Sequence, residues 1–91
     1  MEILAVYDIR DAKRLKKLAE LMEYYGVRVQ KSVFECNLNE AVYAEMKRNT
    51  MRLIDQSSDS VRFYPLYNGS RQKQEIIGQG ARIDFPEFYL T

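Results

Sequence analysis

The sequence predicts an α+β sandwich built as one small domain, and three observations carry that prediction. Residues 2–8 are apolar on both faces of an extended chain, Ile3, Ala5 and Tyr7 alternating with Leu4 and Val6, as in a strand covered by helices. The period then changes: Leu15, Leu18, Ala19, Met22 and Tyr25 fall on one stripe of an amphipathic helix over 11–25. A second helical stripe, Val42, Met46, Thr50, Leu53 and Ile54, follows after strand chemistry at 27–38. A chain of 91 residues lies near the lower end of what one core supports. Pairing with a second copy is the expected way to complete burial.

Taken in order, the first strand leaves the core at Asp8. The first helix spans 11–25, and Gly26 is expected to end it in the left-handed conformation. In 27–38 the apolar positions shift from odd (Val27, Val29, Val33) to even (Phe34, Cys36, Leu38). A bulge or bend near 30–32 explains the slip, so the segment is one bent strand or two short ones. Asn39 is placed to cap the second helix, with Leu38 and Tyr43 set for a hydrophobic staple across it, and the helix runs to near Gln56. Residues 57–59 form a loop. A third stretch of strand pattern, 60–67, contains Pro65, which puts its later part at an edge or outside the sheet. Asn68, Gly69 and Ser70 make a turn before a short strand at 73–77. These elements fit a ferredoxin-like βαββαβ sandwich over 1–77, an antiparallel sheet with both helices on one face. The remaining segment, 78–91, contains Ile83, Phe85, Phe88, Tyr89 and Leu90. A strand at 81–85 either joins the sheet edge of another chain or packs back on its own domain.

The formal net charge is only +1, but it is unevenly spread. Residues 10–31 hold seven basic side chains (Arg10, Lys13, Arg14, Lys16, Lys17, Arg28, Lys31) against three acidic ones, and the rest holds seven basic and ten acidic. One positive face follows, the footprint of phosphate binding. Lys13, Arg14, Lys16 and Lys17 stand in the first two turns of the first helix, where cations oppose the macrodipole at roughly 0.3–1 kcal/mol each. An anion at that end accounts for them, and a solvated charged face is the alternative. Ser32 adds a hydroxyl able to meet a phosphate.

Histidine is absent, which removes the commonest general base and transition-metal ligand. Cys36 is the one cysteine, so no internal disulfide forms, and its apolar neighbours Phe34 and Leu38 make it a core thiol. No P-loop, dinucleotide fingerprint or zinc spacing is present. The opening residues carry Glu2 and Asp8 without a basic leader, and no apolar run reaches the roughly 18 residues of a membrane span. No secretory signal, no membrane partner and a cytoplasmic location are therefore expected.

What remains for chemistry is oxygen ligation of a hard cation. Asp8 is the candidate catalytic carboxylate and ligand for Mg²⁺, with Mn²⁺ as a substitute; a turn cap is the alternative role. One carboxylate per chain suffices if a two-fold homodimer brings two copies of Asp8 together.

Three blocks of sequence, Val6 to Ile9, Tyr25 to Glu35 and Asp59 to Tyr64, together with the basic helix between the first two, resemble CRISPR-associated protein two. The resemblance runs from residue 4 to about 77. It implies a ferredoxin-like homodimer whose first strand ends in the metal-binding aspartate, matched here by Asp8. It further implies a role in antiviral defence through spacer acquisition. The dimer would hold prespacer DNA and bridge the CRISPR integrase, with metal-dependent cleavage of single-stranded RNA or double-stranded DNA in some members. Tyr7, Arg14, Arg28, Ser32 and Phe34 fall in the blocks that surround that site. Arg10, Lys13, Lys17 and Lys31 join Arg14, Arg28 and Ser32 as candidate nucleic-acid contacts. Whether the chain cuts is left open by the resemblance, and a toxin-like messenger-RNA interferase of the same fold is the alternative.

Overall fold

The apolar run that opens the chain becomes β1 (Glu2–Asp8), flanked on both sides by antiparallel partners. The computed structural model describes residues 1–67, 70–71 and 75–79. After β1 come α1 (Ala12–Tyr25), β2 (Gly26–Gln30), β3 (Val33–Asn37), α2 (Glu40–Leu53), β4 (Ser60–Tyr67), β5 (Ser70–Arg71) and β6 (Glu75–Gly78). The sheet order is β2-β3-β1-β4-β5, with β6 also on β4. The expected βαββαβ sandwich is thus the observed one, with additional strands along β4.

The segment 27–38 is two strands joined by a tight turn at Lys31 and Ser32, and the phase slip is a bulge between Arg28 and Gln30. Tyr7 N–H donates to the Ser32 carbonyl at 3.1 Å, tying this turn to the end of β1. Gly26 departs from expectation. Its backbone is extended (φ −165°) and leads straight from α1 into β2. Glycine is required there for another reason: a Cβ would run into the Glu35 carbonyl oxygen of the neighbouring strand. Asn39 caps α2 as expected, accepting from Val42 N–H at 2.9 Å. The helix stops at Leu53, short of Gln56, because Asp55 begins a tight turn that receives Ser58 and Asp59 N–H at 3.1 and 2.8 Å.

The core lies between the sheet and the helices, where Ile3, Ala5 and Tyr7 meet Leu18, Met22, Phe34, Met46 and Phe63. The large aliphatic, Met and Phe side chains among them each contribute about 1.5–3 kcal/mol when fully buried. Thr50 is buried among them because its hydroxyl donates to the Met46 carbonyl at 2.8 Å. On the other face Leu4, Val33 and Tyr64 cluster, with Val6 and Leu66 packed against them. Leu15, expected on the buried stripe, is 39% exposed.

Pro65 stays inside the sheet, opposite Ile3 of β1. Its missing donor costs nothing among the described residues, since β6 pairs as far as Phe63 and β5 from Leu66. β6 is anchored at both ends. Glu75 accepts from the Tyr43 hydroxyl (3.0 Å) and Lys47 (2.8 Å), while Gln79 N–H donates to the Asp59 carbonyl (2.7 Å). Gly78 has φ +93°, and the Asp59 carbonyl occupies the place of a Cβ, so only glycine fits. β6 therefore ends at Gly78, one residue past the strand end expected at 77. Of the expected turn at 68–70, Ser70 instead opens β5; the rest of that turn, the start of the 73–77 strand and the tail beyond Gln79 lie outside the described residues. No helix among the described residues is long and apolar enough to cross a membrane.

Candidate functional site

Strand β1 carries Tyr7 into the core and Asp8 to its exposed end, as the alternation of a strand requires. The Asp8 side chain is 63% exposed, and its only ion pair among the described residues is a long one, 3.9 Å to Arg10. Such an exposed contact contributes little, so the carboxylate stays open to a ligand. Asp8 lines a groove of about 620 Å³. One wall is α1, through Ala12, Leu15, Lys16, Ala19, Glu20 and Glu23. The other is formed by Tyr7, Asp8, Ile9, Arg28, Lys31 and Ser32.

Arg28 is held by what lies beneath it. Its guanidinium sits 5.3 Å from the centroid of the Phe34 ring, which in turn stacks on Tyr7 at 6.2 Å. Phe34 is fully buried, so it packs the core and supports Arg28. Burial pushes the Tyr7 phenol above its ordinary pKa, Arg28 opposes that shift and Glu23 adds to it. The Tyr7 hydroxyl is buried and, among the described residues, no partner meets it in full hydrogen-bond geometry, Arg28 being the donor that acts on it.

Arg14 goes elsewhere. Its Nε donates to Asp59 Oδ2 at 2.8 Å and its Nη2 to Oδ1 at 3.3 Å. Asp59 is fully buried and also accepts the backbone N–H of Arg10 and of Asp55, both at 2.9 Å. Burial alone would raise the Asp59 carboxyl. The bonds from Arg14, Arg10 and Asp55 outweigh it and hold its pKa at about 2. Asp11 caps α1, accepting from Arg14 N–H at 2.9 Å. Cys36 is buried, and burial pushes its thiol up to about 11, as befits a core cysteine.

The candidate cations therefore separate. Arg28, Lys31 and Ser32 converge on the groove, and Arg10 stands beside Asp8. Lys13 and Lys17 are exposed on α1 outside the groove lining, where Lys16 takes part instead. Sequence reasoning counted Glu20 and Glu23 only as charge. Their spacing from Lys16, four and seven residues, is the signal that places all three along one face of α1. Asp59 was visible only as a member of a motif block; nothing local marks it as the anchor of Arg14, 45 residues away.

The chain was compared with known proteins. The profile of the CRISPR associated protein Cas2 family matches residues 1–74. A CRISPR-associated endoribonuclease Cas2 of Moorella thermoacetica is 40% identical over 90 residues, covering 93% of this chain and 94% of its own. A CRISPR-associated endonuclease Cas2 of Halalkalibacterium halodurans is 38% identical, covering 96% of each. Among solved structures, Streptococcus pyogenes Cas2 superposes with a TM-score of 0.70 at 40% identity, over 74% of this chain and 87% of that one.

Proposed function

The chain belongs to the CRISPR-associated Cas2 family, and from that premise we propose that it is a homodimeric subunit of spacer acquisition. In this reading it holds prespacer DNA through the lysines and arginine beside Asp8, bridges the CRISPR integrase, and cleaves phosphodiesters in a Mg²⁺-dependent reaction at Asp8. The observation that carries the proposal is the open Asp8 carboxylate in a groove also lined by Arg28, Lys16 and Lys31. Relatives are named both endoribonucleases and endonucleases, so single-stranded RNA and double-stranded DNA are the two substrates to test.

A metal requirement agrees with the donor chemistry only in one form. Among the described residues no three acidic, cysteine or histidine side chains cluster to hold an ion. A hydrated Mg²⁺ needs only one or two carboxylates beside water and phosphate oxygens, which two Asp8 side chains across a dimer axis supply. The chemistry such a cation brings when bound is polarisation of a phosphoryl oxygen and a lowered pKa of water. The protein's own part is electrostatic and positional. Lys16 and Lys31 neutralise phosphates, Arg28 offers a planar fork braced on Phe34, and the Arg14–Asp59 bonds hold the loop that follows Asp8.

Purified protein is assayed on labelled single-stranded RNA and on duplex DNA, with Mg²⁺ and with chelator. Cleavage of at least one substrate is expected, abolished by chelator and reduced at least about 100-fold by Asp8→Ala, with duplex binding unchanged. Cleavage that survives either treatment overturns the assignment to Asp8. Loss of duplex binding in a folded Asp8→Ala protein overturns the separation of holding from cutting.

A further inference from the structure

The groove is more than a basic surface. Lys16, Lys31, Glu20 and Glu23 all line it, yet none of the four forms an ion pair or hydrogen bond among the described residues. Lys16 and Glu20 are spaced to pair with each other on the helix, and they do not. Two cations and two carboxylates are thus held open in one cleft, whose walls also carry the apolar Leu15, Ala19 and Ile9.

The arrangement also has a direction. β1 runs towards Asp8 and α1 returns from it, so Lys16 stands at the Asp8 end with the Lys31–Ser32 turn, and Glu23 stands two turns further along. Seven residues of helix separate Lys16 from Glu23, about 10 Å, which is comparable with the length of one nucleotide. The geometry points to a site for a single unpaired nucleotide, its phosphate between Lys16 and Lys31, its ring over Leu15 and Ala19, and the donor edge of its base on Glu20 and Glu23. Carboxylates only accept, so they select a base edge that donates. Guanine presents two adjacent donors, N1–H and the 2-amino group, to one carboxylate. Uracil presents a single N–H between two carbonyls that a carboxylate repels.

This inference rests on the nucleic-acid reading above, naming the part of a strand that reaches Asp8 unpaired. Guanosine 5′-monophosphate, uridine 5′-monophosphate and inorganic phosphate are titrated calorimetrically into the full chain at low salt with chelator, and duplex DNA binding is measured in parallel. The guanine nucleotide is expected to bind at least tenfold more tightly than the uracil one or phosphate. The double variant Glu20→Gln/Glu23→Gln should remove that preference, and Ala19→Phe, which fills the cleft, should weaken guanine nucleotide binding at least tenfold. Melting curves report whether each variant is folded, and Glu40→Gln on α2 serves as a surface control. Equal affinity for the three ligands overturns the base-reading role and leaves an anion site. No nucleotide binding with duplex binding intact overturns the inference alone, and loss of both overturns the nucleic-acid reading with it.

Discussion

Asp8 and Asp59 flank the same pair of strands, one facing Ser60 across the β1–β4 ladder and the other preceding it in the chain. Arg10 touches both, through its side chain to Asp8 and its backbone N–H to Asp59. Their environments are opposite: the Asp8 side chain is 63% exposed, and that of Asp59 is 0% exposed. Asp59 receives donors from the loop after β1, from α1 and from the turn after α2, so its charge is committed to the fold. Among the described residues Asp8 has only a distant cation, and its carboxylate faces solvent. The difference teaches that the anion answering the crowded cations of α1 is partly internal. Arg14 is used inside the protein, and the groove is left to Lys16, Arg28 and Lys31.

The largest expected break in that contrast is Asp59→Ala. Removing a buried acceptor of four N–H donors should cost on the order of 3 kcal/mol and roughly 15 °C in Tm, whereas Asp8→Ala should stay within about 0.5 kcal/mol. Equal losses in calorimetry would erase the distinction between the two aspartates. Acid sharpens it next. The folded pKa of Asp59 is about 2 against an ordinary 3.8. Its contribution is therefore complete above about pH 4 and disappears as pH falls towards about 2. Urea midpoints of wild type and Asp59→Ala should differ near pH 6 and draw together by about pH 2.5. A constant gap would mean that packing, and not the charge, holds the site.

Smaller effects concern the groove. Arg28→Lys keeps the charge and loses the plane above Phe34, so duplex binding should weaken about three- to tenfold at fixed salt. Unchanged affinity would make Arg28 a simple point charge. Lys31→Gln should lower the slope of log K against log salt by about 1 while leaving Tm unaltered. An unaltered slope would remove Lys31 from the phosphate path.

The layered fold was legible because its signals are local. Strand β1 announces itself by continuous apolar residues, α1 and α2 by their stripes, and Asn39 by its capping chemistry. The conformation of Gly26 was not, because the need for glycine comes from the Glu35 carbonyl on a strand reached only after the hairpin turns. Asp59 illustrates the same limit at the site. A short polar residue after two serines reads as loop, and its burial follows from Arg14 folding onto it from a distant helix. The division of labour among the cations was hidden likewise, since helical phase brings Lys16 to the groove wall and leaves Lys13 and Lys17 on the outside.

The Asp59 carbonyl has a mechanical consequence. Force applied to the chain beyond Gln79 enters the domain through the Gln79–Asp59 bond and the Gly78–Ser60 pair, and travels back along β6 to Glu75. Peeling in that direction breaks ladder bonds one at a time before it loads the Tyr43 and Lys47 anchor on α2. The first residue to feel the pull is the one whose carboxylate holds the start of α1. A pull on this strand therefore reaches, through Asp59, the Arg10 backbone and the Arg14 side chain.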